Sequence, residues 1–343
     1  MSVRRAAIAA LSVLTVAGAC GKGDGRTVLT VYSPHAKDLL AYFETEFEKA
    51  HPEIDVQWVD MGSQDVIDRL RSERANPQAD VWFGAPAEIF ARAAAESLIV
   101  AYKPTWANAV DSAARGANDM WYGTYRTPEV IAYNTDVIKE ADAPQDWDEI
   151  LAPKWKGKVL IRDPLESGTM RAIFAAQIIR GWNASHGPDS GYVWLRNLDA
   201  STKEYVANPA LLYQKLGRQE GLISLYDMPD IAALSAKGIP VGYVIPRSGT
   251  PLLVDGIAIV RGAKHADAAR LYYEFVTSPA ALEAAARKFW RIPARTDLPL
   301  DSLPAWVRSA ITEIRPMPMD RRLLEAHLDE WMKYWDANIR RRH

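Results

Sequence analysis

The amino-acid sequence predicts an α/β fold in which two lobes are built from alternating strands and helices. Two observations support this prediction. Three consecutive strand–turn–helix units occupy residues 28–96, and a similar unit begins again at residue 159 after an irregular stretch. Strands that alternate with helices form a mostly parallel sheet with helices on both faces. With 343 residues, 48% of them hydrophobic, the chain is long enough to bury two cores of ordinary size.

The first lobe is predicted from β-branched strands and from helices with apolar residues at helical spacing. Leu39, Phe43 and Phe47 form one face of the first helix, which Pro52 ends. Gly62 and Ser63 precede the second helix. The expected strands are 28–32, 54–59 and 80–83, and the expected third helix is 87–96. Ligands of such sheets bind where the turns after the strands converge.

The regular alternation of strands and helices ends after residue 121. Residues 122–134 are rich in β-formers, and residues 159–161 open a new strand followed by a helix over 170–179. Further strands are predicted at 222–226, 241–245 and 252–260, and a further helix at 266–276. These elements divide into a first lobe of 27–124 and 247–302, a second lobe of 125–246, and C-terminal helices over 303–343 that pack on the lobes. Hinge crossings are expected near Tyr125 and Pro246.

The N-terminus has the organisation of a secretory signal. Arg4 and Arg5 precede an uncharged run over residues 6–19, which is shorter than the roughly 20 apolar residues that span a bilayer. The only cysteine, Cys20, follows the small residues at 17–19. We predict a signal peptide at 1–19 and a lipidated tether at 20–26, which makes the protein a membrane-anchored lipoprotein of the periplasm or cell surface. Cleavage by ordinary signal peptidase, which would release a soluble protein, is the alternative.

Composition and motifs exclude several functional classes. The formal net charge of -2 gives no reason to expect nucleic-acid binding, and a single cysteine excludes an internal disulfide. The sequence has no Gly-x-Ser-x-Gly elbow, no Ser-x-x-Lys and no His-Glu-x-x-His, so we expect no enzyme activity. No zinc-ligand spacing is present among the six histidines. We expect a monomer without a cofactor.

Several short stretches together resemble a known family. They are Leu29-Thr30-Val31-Tyr32-Ser33, Gln78-Ala79-Asp80-Val81-Trp82-Phe83, Pro153-Lys154-Trp155-Lys156-Gly157-Lys158, Asp163-Pro164, Ser167-Gly168-Thr169, Pro240-Val241-Gly242-Tyr243 and Gly249-Thr250-Pro251. Their order and spacing resemble the class II substrate-binding proteins of bacterial ABC importers, nearest the ferric-ion-binding branch.

This resemblance implies a periplasmic-binding-protein type II fold, in which each lobe is a doubly wound mixed sheet. It also implies that a solute is clamped between the lobes and delivered to an ABC permease in the inner membrane. A sensor that hands its ligand to a receptor would have the same sequence features.

The ferric-ion-binding branch implies an iron site, and the sequence matches it in part. That branch uses a histidine in the first turn, a glutamate after the third strand and an adjacent tyrosine pair. His35 matches the first position, but Ala85 stands where the glutamate is expected, and Tyr226 is followed by Asp227. The adjacent pair at 272–273 lies within a predicted helix, where neighbouring side chains diverge by about 100°. Ferric iron held by His35 and Tyr226 is therefore the alternative ligand.

The principal hypothesis is a small anionic solute, such as a phosphonate, an organic phosphate or a carboxylate. Ser167, Gly168 and Thr169 precede a predicted helix, and Ser63 and Gln64 precede another in the opposite lobe. Helix N-termini offer free backbone N–H groups and a partial positive charge, and hydroxyls add donors. The same residues are ordinary helix caps in many proteins.

Strand ends and hinges supply the other candidate ligand residues. An arginine fork pairs with an oxyanion, and aromatic side chains at strand ends wall pockets. Surface arginines and core aromatics are the alternative. The candidates are Ser33, Arg126, Tyr226, Asp227 and Tyr243, with Arg162, Arg171 and Arg247 as further cations and Tyr32 and Trp82 as further aromatics.

Overall fold

The computed structural model describes residues 25–340, with the backbone alone at 183 and 184. The predicted signal peptide and Cys20 lie outside these residues. The first lobe opens with β1 (Thr27–Ser33), which pairs in parallel with β2 (Ile54–Asp60) and with β3 (Val81–Pro86). Three helices connect and follow these strands, as predicted: α1 (Lys37–Ala50), α2 (Ser63–Ser72) and α3 (Ala87–Ala95).

Buried apolar residues explain why these elements form where they do. Leu39, Leu40, Phe43 and Phe47 of α1 are fully buried and pack on the sheet. Their i, i+4 and i+8 spacing places them on one face of the helix. Because β1, β2 and β3 run parallel, their carboxyl ends lie at one edge of the sheet. A turn follows each strand at this edge and leads into a helix.

The chain changes sheets within one long strand, β5 (Tyr122–Asn134). Its first half pairs antiparallel with β10 (Leu252–Val260), with Pro128 opposite Leu252. Its second half pairs antiparallel with β8 (Ile223–Asp227), with Glu129 opposite Asp227. Pro128 cannot donate a ladder hydrogen bond, so it stands where the pairing changes. The first crossing lies at 128–129, and the return lies between β9 (Val241–Val244) and β10.

The second lobe is a mixed sheet in which β6 (Val159–Arg162) lies between β7 (Thr202–Val206) and β8, with β9 against β5. Helix α4 (Gly168–Ser185) follows β6. This lobe also contains three helices that were not predicted from the sequence: α5 (Asp189–Ser201), α6 (Pro209–Gly217) and α7 (Met228–Ala236). Together, the two lobes have the predicted α/β architecture.

The rest of the chain completes the first lobe and then spans both. β3 and β5 flank β10, and the short β4 (Ile99–Val100) and β11 (Ile292–Pro293) pair with β10 and β5. Helices α8 (Ala266–Val276), α9 (Pro279–Phe289) and α10 (Ala305–Glu313) pack on the first lobe. None of the helices in residues 25–340 combines the length and hydropathy needed to cross a membrane.

The last helix, α11 (Arg321–Asn338), connects the two lobes through Asp329. The Asp329 carboxylate accepts hydrogen bonds from Arg92 of α3, at 3.0 Å, and from Arg171 of α4. The Arg171 side chain is 8% exposed, so its guanidinium has little access to water. Burial raises the pKa of Asp329, but Arg92 and Arg171 outweigh this and hold it below its usual value.

We expect Asp329→Asn to lower the free energy of unfolding by about 1 kcal/mol at neutral pH, because the pair is half exposed. A depressed pKa contributes stability that is present above the unfolded-state pKa and is lost as pH falls through the folded-state pKa. The difference between wild type and variant should therefore vanish in acid. Urea unfolding at pH 7 and at a series of pH values below the ordinary aspartate pKa measures it. Asp267→Asn is the control, because the Asp267 side chain also pairs with an arginine but is 95% exposed. It should leave the free energy of unfolding unchanged at every pH.

Candidate functional site

A cavity of about 450 Å³ lies between the lobes, where the turns after the parallel strands meet. The first lobe contributes the turns after β1, β2 and β3, and the second lobe contributes the turn after β6 and the starts of α6 and α7. Six helices, α1, α2, α3, α4, α6 and α7, have their N-cap residues in the wall of this cavity. The wall residues are Pro34, His35, Ala36, Lys37, Asp60, Gly62, Ser63, Ala85, Pro86, Thr127, Arg162, Glu166, Ser167, Gly168, Thr169, Asn208, Pro209, Ala210, Tyr213, Tyr226, Asp227, Asp230, Asp255 and Arg291.

The structure brings most of the predicted site residues into this one wall. They are His35, Ser63, Ser167, Gly168, Thr169, Tyr226 and Asp227, and Arg162 lies with them. They come from both lobes and from positions almost 200 residues apart in the sequence.

Four predicted ligand residues lie elsewhere, and their contacts explain why. The Ser33 hydroxyl is fully buried and donates to the Phe83 carbonyl at 2.5 Å, so it ties β1 to β3. The Gln64 amide bonds to Asp68 and Arg92 on the outer side of α2. Arg126 pairs with Asp111 at 2.5 Å. Tyr243, on β9, packs partly buried against the core and does not reach the cavity.

Further candidates also lie outside the cavity wall. Arg171 pairs with Asp329, and Arg247 bonds to Gln145. The Tyr32 hydroxyl donates to Glu73, and Trp82 is fully buried against Phe90. Of the predicted cations, Arg162 alone lines this cavity among residues 25–340.

Sequence reasoning missed the polar residues that complete the wall. Asp230 follows Asp227 in the first turn of α7, and Tyr213 lies on α6 with its ring 5.6 Å from that of Tyr226. Asp255 lies in the middle of β10, and Arg291 follows α9. Asp255 could have been predicted as a site residue, because it is a charged residue within the otherwise apolar β10 sequence. Nothing in the local sequence indicates that Arg291 belongs to the site.

The hydroxyl-bearing turns face each other at close range. Ser167 caps α4 by accepting a hydrogen bond from the Met170 N–H at 3.2 Å, which leaves its own O–H as a donor. A β-carbon placed at residue 168 would lie 3.1 Å from the Pro86 ring of the opposite lobe. One at residue 62 would lie 3.2 Å from the Glu166 carbonyl oxygen. The two glycines therefore allow the two lobes to meet around the cavity.

His35 lies deep in the wall, among aromatic rings. It is 5% exposed, and its ring contacts those of Phe83 and Tyr125 at centroid distances of 4.7 and 5.6 Å. Burial, with a smaller effect of Arg291, lowers its pKa well below the usual value. Its Nε2 has no hydrogen-bond partner and faces Gly84, where a β-carbon would come within 2.7 Å.

The donors for the alternative metal ligand are arranged differently from the expected tyrosine pair. Tyr272 and Tyr273 are buried within α8, away from the cavity. Tyr213 and Tyr226 lie together instead, and burial with the nearby Asp230 and Asp227 raises the pKa of both phenols well above the usual value. Within residues 25–340 no three histidine, cysteine, aspartate or glutamate side chains are arranged to hold a metal ion.

Six charged side chains of the wall form three ion pairs, and two further carboxyls lie outside these pairs. Lys37 lies 3.7 Å from Asp60, Arg162 lies 2.9 Å from Glu166, and Arg291 lies 3.2 Å from Asp230. Within the described part of the chain, Asp227 and Asp255 have no basic side chain within 4 Å. Burial raises the pKa of both, Asp230 adds to this effect, and Arg291 opposes it at each carboxyl without cancelling it.

A family model described as bacterial extracellular solute-binding protein matches residues 44–311, which is most of the chain. The chain belongs to this family. Its members bind solutes outside the cytoplasm for transport, which agrees with a cavity between two lobes.

Relatives of known description agree with this family. A probable ABC transporter periplasmic-binding protein of Sinorhizobium fredii is 28% identical over 323 residues, which are 91% of this chain and 86% of that protein. A putative 2-aminoethylphosphonate-binding periplasmic protein of Salmonella typhimurium is 27% identical over 316 residues, 85% of each chain.

The fold matches that of solved type II periplasmic binding proteins. The structure of AfuA from Actinobacillus pleuropneumoniae with fructose-6-phosphate bound superposes with a TM-score of 0.79 at 22% identity, over 92% of this chain and 99% of that one. Ferric-ion-binding proteins share the fold too, as the sequence analysis expected.

Proposed function

We propose that this solute-binding protein closes its lobes on a small phosphonate or organic phosphate and delivers it to an ABC permease. The observation that carries the proposal is the meeting of two hydroxyl-bearing helix starts in one cavity. Ser63 begins α2 in the first lobe, and Ser167 and Thr169 begin α4 in the second.

These helix starts match the chemistry of a tetrahedral oxyanion. The first turn of each helix has backbone N–H groups without intrahelical partners, and the aligned peptide dipoles place partial positive charge there. Hydroxyls add donors that bring no charge and can rotate toward the oxygens. Because the donors come from both lobes, an anion bound to both would stabilise the closed arrangement over an open one.

The relatives favour this class of ligand. The Salmonella typhimurium relative has a phosphonate in its name, and the AfuA structure holds a sugar phosphate. The wall of the present cavity has its own set of donors, so the identity of the solute has to be measured on this protein. A thermal-shift screen with phosphonates, sugar phosphates, carboxylates, thiamine and ferric citrate identifies the solute, because a ligand that binds only the folded state raises the melting temperature.

We expect removal of the cleft hydroxyls to weaken binding of the best compound in that screen. Ser167→Ala with Thr169→Val should cost about 1 to 3 kcal/mol for each lost donor, because the anion oxygens it served stay buried without a partner. Isothermal titration calorimetry measures the loss. Unchanged affinity in this double variant would contradict the assignment of the site.

A matched control separates binding from helix capping. Ser167 also caps α4, and loss of a cap costs about 1 kcal/mol of stability. Ser278 caps α9 in the same way, accepting from the Ala281 N–H at 3.3 Å, and does not line the cavity. Ser278→Ala should lower stability and leave affinity unchanged, whereas Ser63→Ala should lower affinity alone.

The protein is proposed to act as a monomer, without catalysis, at the outer face of the membrane. Its proposed anchor is a lipid on Cys20, with residues 1–19 removed as a signal peptide. Metabolic labelling with radioactive palmitate tests this. The wild type should be labelled, Cys20→Ala should not, and an unlabelled wild type would favour simple secretion.

A further inference from the structure

The proposed anion alone leaves part of the cavity without a complementary group. The three basic side chains of the described wall, Lys37, Arg162 and Arg291, each pair with a carboxylate within 4 Å. Asp227 and Asp255 remain, and they line the same cavity as the hydroxyls. A bare anion would leave these two carboxyls without a close basic partner, because Arg291, which acts on both, is already paired with Asp230.

A third carboxyl, that of Glu129, lies beside these two. Glu129 is opposite Asp227 in the β5–β8 register, and directly opposite residues project from the same face of a sheet. Thr127, two residues before Glu129 and therefore on that face, donates to Asp255 at 2.6 Å. Asp227, Asp255 and Glu129 thus lie on one side of the central strand, where Asp227 and Asp255 line the cavity.

Glu129 is an unpartnered polar side chain in this group. It is fully buried, and neither carboxylate oxygen has a hydrogen-bond partner. Asp227 and Asp255 are the nearby charges that raise its pKa most, after burial itself. Buried polar groups in native proteins are hydrogen-bonded in the great majority of cases, so carboxyl oxygens without partners point to a missing hydrogen-bond donor.

We infer that the solute carries a positively charged nitrogen in addition to its anionic group, and that Asp227 and Asp255 bind this nitrogen. The inference rests on the proposed function and narrows it to zwitterionic solutes. An ammonium group has three donors, which suits the free oxygens of Asp227 and Asp255. Asp227 uses one oxygen to cap α7, accepting from the Asp230 N–H at 3.0 Å, and Asp255 uses one for Thr127.

The arrangement divides the cavity into two ends. Hydroxyls and helix starts of α2 and α4 form the end for the oxyanion, and the carboxyls of β8 and β10 form the end for the nitrogen. Arg291 pairs with Asp230 at the second end, so one guanidinium serves a group of four carboxyls among the described residues: Glu129, Asp227, Asp230 and Asp255. A second cation, brought by the solute, would restore the balance.

Two probes that differ only in the nitrogen test the inference. 2-Aminoethylphosphonate and ethylphosphonate have the same phosphonate head and the same carbon chain. By calorimetry, the wild-type protein should bind the aminated probe at least tenfold more tightly. In the double variant Asp227→Asn and Asp255→Asn the ratio of the two affinities should fall to near one. Asparagine caps helices as well as aspartate does, and it still accepts a hydrogen bond from Thr127, so the variant should fold.

Asp60→Asn is the matched control, because Asp60 also lines the cavity but has Lys37 as its partner. It should preserve the preference for the aminated probe. The ratio measured on the wild type needs no variant, so the test stands even if the double variant fails to fold.

Each contrary outcome has a distinct meaning. Equal affinity of the wild type for the two phosphonates would overturn the inference and leave the proposed function standing. Failure of both probes and of every other phosphonate and phosphate in the screen would overturn the proposed function, and the inference with it. A tyrosinate-to-iron absorption band after addition of ferric citrate, lost in the double variant, would assign the carboxyls to a metal ion and overturn the inference.

Discussion

Replacing Gly168 by leucine should hold the two lobes apart and weaken solute binding strongly. Gly168 begins α4 in the second lobe, and a β-carbon there would lie 3.1 Å from Pro86 and 3.3 Å from Ile89 of the first lobe. Contacts in this range are tighter than ordinary packing, and a leucine adds three more carbons in the same direction. Overpacking costs about 1 to 3 kcal/mol, which corresponds to roughly 5- to 150-fold in affinity when the strain exists only in the closed form.

The expected signature is a change in shape without a change in stability. In the ligand-free protein an open arrangement relieves the clash, so the melting temperature should stay near that of the wild type. With saturating solute, small-angle scattering should show compaction of the wild type and a weaker response of Gly168→Leu. Gly168→Ala should fall between the two.

Gly187→Leu is the matched control, since residue 187 lies in the same lobe and a β-carbon there would have no atom within 4 Å. It should bind and compact like the wild type. Full compaction of Gly168→Leu at wild-type affinity would show that the lobes do not close along this contact.

The first lobe could be predicted from the sequence because each of its elements has a local signal. The alternation of β-branched strands with amphipathic helices over residues 27–95 matches β1 to α3 closely. The second lobe was predicted less well. Its strand β7 ends the sheet, and Lys203, Glu204 and Tyr205 at its centre face solvent at least in part, so no apolar run marks it.

One missed element had a readable signal. Asn208 followed by Pro209 is a typical helix start, an N-cap residue before proline at the first helical position, and Leu212 and Leu216 follow at i, i+4 spacing. Recognising it would have placed α6 at the cavity, together with Tyr213 of its buried face.

The candidate site could be predicted where it is built by turns after parallel strands. Ser63, Ser167 and Thr169 follow such strands, and they line one cavity for that reason. Asp255 and Arg291 reach the cavity through antiparallel pairing and helix packing, which join distant parts of the chain. The position of Arg126 near the crossing could be predicted from the sequence. Its pairing with Asp111 could not.

The second large expected effect concerns Glu129, whose replacement by glutamine should stabilise the ligand-free protein at neutral pH. The Glu129 carboxyl is fully buried and unpartnered, and burial together with Asp227, Asp255, Asp230 and Glu88 raises its pKa well above the usual value. Arg291, which lines the same cavity as Asp227 and Asp255, pairs with Asp230. A raised pKa contributes stability that is fully present below the unfolded-state pKa and is lost as pH rises through the folded-state pKa.

The free energy of unfolding of the wild type should therefore fall by up to about 1.4 kcal/mol for each pH unit above the ordinary glutamate pKa, as far as the raised pKa of Glu129. Glutamine does not ionise and gives the neighbouring carboxyls two donors. Glu129→Gln should match the wild type near pH 4 and exceed it by a growing margin as pH rises toward 7. Urea unfolding across this pH range measures both curves.

Two further measurements of unfolding free energy against pH test whether ionisation of Glu129 causes the loss of stability toward neutral pH. Glu283→Gln, at a half-exposed glutamate of α9, should follow the wild type at every pH. Saturating 2-aminoethylphosphonate should flatten the wild-type curve, because a bound ammonium beside Asp227 favours ionised carboxyls throughout this group. If Glu129→Gln instead kept the full wild-type slope, the loss of stability toward neutral pH would belong to Asp227 and Asp255, whose carboxyls are raised in pKa by burial in the same place.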